Sequence, residues 1–360
     1  FGEENVVDLS LGNPVMEPPE EVLKALVECA RDESPGLHRY MPNAGFADVR
    51  AVIAESLSPE CKLSANDVVM VCGAAGGLNI TLKTLLDPGD EVIIFTPYFV
   101  EYLFYADNHG GKAVPVSTGD DFRLDFSALK NALNEKTKAV IINSPNNPTG
   151  VVYSRKELRD LADILKTHSN RFGKAVHLIS DDPYKKITFD GVEALNILEF
   201  YDNSIYITSH SKDIALPGER IGFVAVHPRC EDAGPIMAGL IFCNRVLGFV
   251  NAPALIQRVV KQVQSVTVDV EQYRRKRDYL YKELTRIGYD VVKPQGAFYF
   301  FPKSPLEDEV EFVRKLAENK VLVVPGRGFG LPGYFRISYC FPDSVIEGSI
   351  LGFEQAFRAF

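Results

Sequence analysis

Apolar residues along this chain gather into short continuous runs, separated by longer stretches in which they recur at helical spacing. Residues 68–71, 91–95, 138–143, 175–180, a run ending at Thr208, and 223–226 read as strands. Most are apolar at successive positions, the pattern of strands covered on both faces. Leu78, Leu82, Leu85 and Leu86 mark a helix that stops at Asp87-Pro88-Gly89-Asp90, and another helix follows Thr96-Pro97-Tyr98. Upstream, 8–14 is extended and ends in turn formers, a lid-like entry to a smaller lobe, and Val22, Leu23, Leu26, Val27 and Ala30 trace a helix. A further helix is expected near 48–57. Downstream, the pattern predicts one long amphipathic helix over 254–287, then smaller alternating elements: strands at 298–301, 321–324 and 334–339, a helix near 306–318, and a closing helix with Val345, Ile346, Ile350, Phe353 and Phe357. Strand–helix alternation of this kind reads as an open α/β sheet.

Composition narrows the class. A chain of 360 residues with 46% apolar content exceeds the usual size of one domain, so two domains are expected. Its net charge of -9 is spread with both signs mixed and offers no basic stripe for nucleic acid. The six cysteines are scattered, with neither a Cys-x-x-Cys pair nor histidines at zinc spacing, and are read as reduced thiols with no metal role. No apolar run has the length to span a bilayer and no basic-then-apolar leader pattern is seen, so a cytoplasmic protein with no membrane association is expected. The chain opens on Phe1 rather than methionine, which leaves room for an arm ahead of this numbering.

Candidate chemistry lies where the strands end. Cys72-Gly73-Ala74-Ala75-Gly76-Gly77 is a small-residue turn entering a helix. It suits either a phosphate cradle of backbone N–H groups or close helix–sheet packing, and its spacing is not that of a dinucleotide fingerprint. Ser144-Pro145-Asn146-Asn147-Pro148-Thr149-Gly150 follows a buried strand, the position at which open α/β sheets bind ligands, and Asn146 reads as an Asx turn. Asp181-Asp182-Pro183-Tyr184 closes the next strand. After the following one comes Ser209-His210-Ser211-Lys212, with Arg220 inside Gly218-Glu219-Arg220-Ile221-Gly222. A lysine in a tight turn behind a strand end becomes useful when its amine is masked, for instance as a Schiff base with a carbonyl cofactor. Arg336 sits in a strand between Phe335 and Ile337, either as a surface residue or as a planar fork for a carboxylate.

Taken in order, these segments resemble the class I/II aminotransferases, pyridoxal-phosphate enzymes of fold type I like aspartate aminotransferase, over nearly the whole chain. The resemblance implies a large domain with a mostly parallel seven-stranded sheet, residues 39–253, and a smaller α+β domain from both chain ends, 1–38 and 254–360. It implies pyridoxal 5'-phosphate held by a Schiff base to Lys212, which then serves as the base moving the substrate proton. Asp181 would keep the pyridine nitrogen protonated, and Tyr184 and Asn147 would hold the ring oxygen. Phe99 would stack on the ring, and Ser209, Arg220 and the backbone at Ala74, Ala75 and Gly76 would hold the phosphate. Ala75 departs from relatives that carry a hydroxyl or basic residue there. Arg336, with Gly12 and Asn147, would bind the substrate α-carboxylate. His38 to Gly45 and Arg50 resemble the segment whose tyrosine, here Tyr40, reaches the neighbouring subunit's phosphate, which implies a homodimer with shared sites. The activity implied is transfer of an amino group between an L-amino acid and a 2-oxo acid such as 2-oxoglutarate, with Arg39 or Arg245 as readers of a distal carboxylate. A C–S β-lyase of the same fold is the alternative enzyme. A non-catalytic sensor is the alternative outside enzymes, though nothing in these 360 residues resembles the basic DNA-binding module such sensors carry.

Overall fold

The structure, a computed structural model, describes residues 6–57 and 60–359. Its strands are β1 (Val7–Asp8), β2 (Val68–Val71), β3 (Glu91–Thr96), β4 (Lys112–Ser117), β5 (Thr137–Ile142), β6 (His177–Asp181), β7 (Ser204–Ser209), β8 (Gly222–Val226), β9 (Tyr299–Phe300), β10 (Val321–Leu322), β11 (Val324–Pro325) and β12 (Phe335–Ser338). Seven of them form one sheet in the order β2-β8-β7-β6-β5-β3-β4. The pairs from β4 through β3, β5 and β6 to β7 are parallel, and β8 runs antiparallel between β7 and β2. That single reversal has a functional result. The carboxyl ends of β2, β3, β5, β6 and β7 and the amino end of β8 all open on one edge, where the loops of an α/β sheet collect a ligand.

Continuous apolar strands are required because both faces are covered. On one side Val69, Val71, Ile94, Ile141, Ile179, Ile207 and Val224 pack with the helices Gly73–Leu85 and Ala233–Val246. Their strand neighbours Met70, Ile93, Val140, Leu178, Tyr206 and Ala225 turn to the other side. The helices Glu20–Arg31 and Ala254–Gln262 lie on that second side, through Val22, Ala25, Ile256 and Val260. A separate cluster built on Phe298, Phe300, Phe312, Phe335, Ile337 and Phe353 forms the core of the C-terminal lobe, and Leu9 joins it from the start of the chain. Here β1 pairs in parallel with β10, and β12 pairs antiparallel with β9 and β11.

The helix expected over 254–287 is two helices, Ala254–Gln262 and Val270–Ile287. The residues between include Val263, Val266, Thr267 and Val268, whose branched side chains disfavour helix, and Asp269 restarts it by accepting a hydrogen bond from the Glu271 N–H. The break is used. Val268 N–H and Thr267 Oγ1 both donate to the Asp213 carbonyl oxygen, at 2.7 and 3.0 Å, and so brace the turn beside Lys212. That turn also differs from expectation. The strand β7 continues through Ser209 and a single helical turn, His210–Asp213, carries the lysine. Elements expected at 298–301, 321–324 and 334–339 are shorter, the middle one being two separate pairs, and the helix near 306–318 begins at Glu309. None of the six cysteines forms a disulfide among the described residues, and five of them are buried. No helix among the described residues is long and apolar enough to cross a membrane.

Candidate active site

At the shared sheet edge lies a cavity of about 240 Å³, whose wall includes Ala74, Ala75, Phe99, Asn147, Asp181, Tyr184, Ser209, Lys212 and Arg220. Six separate stretches of sequence thus converge within it. The Gly73–Leu85 helix begins directly after β2, so the free N–H groups of its first turn, at Ala74 and Ala75, open on the cavity. Gly73 itself has φ +75°, and a Cβ there would stand 2.8 Å from an Arg220 guanidinium nitrogen. Glycine is needed both for the backbone and for the arginine's approach. Gly76, by contrast, is buried against Cys72 and Phe249 and is not part of the cavity wall. Ser209 and Ser211 place their hydroxyls 3.2 Å apart on the same wall. This end of the cavity therefore gathers a guanidinium, two hydroxyls and a helix N-terminus, a donor set for a phosphate.

The opposite demand is made at Asp181. Its Oδ2 accepts a 2.6 Å hydrogen bond from Tyr102, its backbone carbonyl accepts from Asn143 Nδ2 at 2.5 Å, and its Oδ1 is buried with no partner among the described residues. Burial pushes the carboxyl up to about 6, against the pull of the Tyr102 hydroxyl. A buried carboxylate oxygen left open requires a donor from elsewhere. A protonated pyridine nitrogen is such a donor, and with the phosphate cradle at the other end the residues present fit pyridoxal phosphate.

Between these ends, Lys212 Nζ donates to the Gly12 carbonyl oxygen at 2.6 Å and rests 5.6 Å from the centre of the Phe298 ring. Burial, with Arg220 and Arg336 acting in the same direction, lowers the amine to about 8. An amine so placed is partly neutral at ordinary pH and can act as nucleophile or base. Asn147 is fixed by its N–H donating to Asn143 Oδ1 at 2.6 Å, and its own Oδ1 accepts from Arg336 Nη1 at 3.1 Å, which leaves Nδ2 as the side chain's donor. Asn146 makes the expected Asx turn, accepting from Thr149 N–H and Oγ1.

Arg336 is buried, with its planar group 4.8 Å from the ring centres of both Tyr299 and Phe329. Its Nη2 donates to the Ser10 carbonyl oxygen at 2.6 Å, and its buried Nε has no hydrogen-bond partner among the described residues. Tyr184 exchanges a 2.8 Å hydrogen bond with Tyr299. The structure therefore brings together the residues singled out in the sequence except Arg50, Gly76, which lies off the wall, and Tyr40, which is 90% exposed on this chain together with exposed Arg39 and Arg245. Arg50 is buried and donates to the Gly45, Ala65 and Val68 carbonyls, a structural duty. Sequence reasoning missed Tyr102, Asn143, Ser211 and Tyr299. Asn143, the polar end of an apolar strand, is the one that carried a signal.

Comparison with known proteins agrees with this geometry. The family model for aminotransferase class I and II matches residues 4–348. The aspartate aminotransferase of Pyrococcus abyssi is 33% identical, over 99% of this chain and 93% of its own length. Aromatic-amino-acid aminotransferase 2 of Thermococcus litoralis is 31% identical over 99% and 93%. A crystal structure of an amino transferase from Eubacterium rectale superposes with a TM-score of 0.97 at 39% identity, covering 100% of this chain and 92% of that one. With the open carboxylate, the phosphate cradle and the buried amine in one cavity, the chain belongs to the class I and II aminotransferases and is a pyridoxal-phosphate-dependent enzyme of fold type I.

Proposed function

We propose that Lys212, Asp181 and Tyr184 carry the chemistry of amino transfer, and that the substrate pair is an L-amino acid and 2-oxoglutarate. The observation that carries the reading is the open Oδ1 of Asp181 in the same cavity as the Lys212 amine. When bound, pyridoxal phosphate supplies the carbonyl that accepts the amino group and a ring that draws electrons from the substrate Cα. Asp181 Oδ1 would accept a hydrogen bond from the protonated ring nitrogen and, as a carboxylate, would keep that proton in place. Tyr184 and Asn147 Nδ2 would donate to the ring oxygen. Phe99 would cover a ring face, and Ser209, Arg220 and the N–H groups of Ala74 and Ala75 would hold the phosphate. Lys212 Nζ would hold the cofactor through its carbonyl carbon and, as a free amine, would move the substrate Cα proton. Arg336, with two donors on one planar group, receives the substrate α-carboxylate beside Asn147 and the Gly12 backbone, exchanging its contact with Ser10 for a charged partner.

The same proposal extends to assembly. Tyr40, Phe242, Val246 and Leu247 leave large apolar surface exposed on a single chain, which supports a homodimer in which Tyr40 completes the partner's phosphate site. Division into a large domain over 39–253 and a smaller one from both ends is supported by the β1–β10 pairing, while the Glu20–Arg31 and Ala254–Gln262 helices, which those bounds put in the smaller domain, pack on the large sheet. A cytoplasmic location fits six cysteines that form no disulfide among the described residues. Acidic substrates are supported by the name of the Pyrococcus abyssi relative. A panel of amino donors, each mixed with holoenzyme in a single turnover and followed by loss of the cofactor's visible absorbance, tests this. Aspartate or glutamate should react fastest, with 2-oxoglutarate restoring the band. Failure of 2-oxoglutarate to restore it after any donor overturns the acceptor assignment.

A further inference from the structure

One side chain outside the assigned set touches three of its members. The hydroxyl of Tyr299 lies 2.8 Å from that of Tyr184, and its ring carries the Arg336 guanidinium at 4.8 Å. At Gly12 there is no side chain, and a Cβ built there would stand 2.0 Å from the Tyr299 oxygen. The N-terminal segment thus passes over this hydroxyl only because residue 12 is glycine, and the Gly12 carbonyl is the acceptor for Lys212 Nζ. The ring is fixed from below by edge contacts with Tyr184 at 5.7 Å and a tilted contact with Phe298 at 4.9 Å. Tyr299 is 2% exposed, and burial holds its hydroxyl up at about 12, with Arg336 pulling the other way. The group keeps its proton throughout the working range.

Two hydroxyls in contact have one hydrogen between them. The Tyr184 proton is directed to the cofactor's ring oxygen, so the proton in the Tyr184–Tyr299 contact must come from Tyr299. We propose that Tyr299 is a positioning residue of the amino-transfer reaction: it donates to Tyr184, strengthens that residue's own donation to the ring oxygen, and holds Arg336 flat for the substrate carboxylate. Hydrogen bonds in series polarise one another, so the outer donor makes the inner one stronger. A stronger donor at the ring oxygen stabilises negative charge there and weakens the hold on the proton shared with the neighbouring nitrogen. The hydroxyl and the ring of Tyr299 have separable duties, the first acting on Tyr184 and the second on Arg336. The inference rests on the proposed role of Tyr184, and the test is arranged to tell the two apart.

The test is a spectrophotometric titration of the cofactor's visible band in the holoenzyme and in Tyr184→Phe, Tyr299→Phe and the double variant. Tyr184→Phe should raise the midpoint. Tyr299→Phe should raise it in the same direction by about half a pH unit or more, part of one ordinary hydrogen bond. The double variant should match Tyr184→Phe alone, because the outer donor has nothing left to act through. Tyr299→Phe should leave KM for the amino donor within about twofold, since the ring under Arg336 remains, whereas Tyr299→Leu should raise KM about tenfold or more. An unmoved midpoint in Tyr299→Phe, or additive shifts in the double variant, overturns the proposal for Tyr299. An unmoved midpoint in Tyr184→Phe overturns the role of Tyr184 itself. If Tyr299→Leu does not fold, the Phe variant alone decides the outcome.

Discussion

Tyr102 donates its hydroxyl proton to Asp181 Oδ2 across 2.6 Å, and both side chains are buried. The bond opposes the burial that pushes the Asp181 carboxyl up to about 6. Loss of the donor therefore raises that carboxyl further, and the carboxylate form is lost at a higher pH as pH falls. Tyr102→Phe is expected to weaken cofactor retention roughly tenfold near pH 6, the scale of one hydrogen bond to a charged group, with less effect near pH 8. Dissociation constants for the cofactor measured from pH 5 to 8 check this, and overlapping profiles for variant and wild type would falsify it.

Lys212→Ala should abolish turnover while leaving the cofactor bound, because the phosphate and ring-nitrogen contacts lie on other residues. Loss of a positioned base alone costs about 10²–10⁴-fold, before the loss of the covalent link is counted. Stopped-flow rates and equilibrium dialysis of the variant separate the two. Near-normal turnover would remove Lys212 from the reaction.

Arg39 and Arg245 are exposed on the single chain, outside the cavity wall. If the dimer brings either to the neighbouring site as reader of a distal carboxylate, its replacement by alanine should cost about 2–5 kcal/mol in kcat/KM for aspartate or glutamate, and much less for alanine or phenylalanine. Equal losses for acidic and neutral donors in both variants would point to an adaptable side-chain pocket.

A mixed dimer of Tyr40→Phe and Lys212→Ala subunits should contain one site with both lesions and one with neither. Activity near half that of the wild-type dimer is expected, well above either parent homodimer. Sedimentation of an active monomer would end the cross-subunit role of Tyr40.

The sequence announced this site best where chemistry interrupts a hydrophobic run. Asp181, Asn147 and Lys212 each follow an apolar strand, and a polar or turn-forming group there has few structural excuses. Tyr102 and Tyr299 had no such contrast. One lies on a helix among Leu103, Phe104 and Tyr105, the other between Phe298 and Phe300, so each reads as core until its hydroxyl is seen to have a partner. Gly76 fell to the opposite error: small residues in a row look alike, and only the start of the helix at Gly73 decides which N–H groups face the cavity. The single helix assigned to 254–287 was a failure of periodicity to register an interruption, since Val263 and Val266 continue the apolar spacing through residues that are not helical.

Pairing of β1 with β10 joins residues more than three hundred positions apart, and Arg336 meets Ser10 across a separation of 326. On the ribosome this fixes an order of events. The sheet from β2 to β8, with its phosphate cradle, Asp181 and Lys212, can be complete while the last third of the chain is still being made. Gly12 and Ser10 must wait, exposed, until Val321 and Arg336 emerge to receive them. A truncated or stalled chain would thus present a finished cofactor cradle with its substrate side still open, and the last strand to be synthesised is the one that closes it.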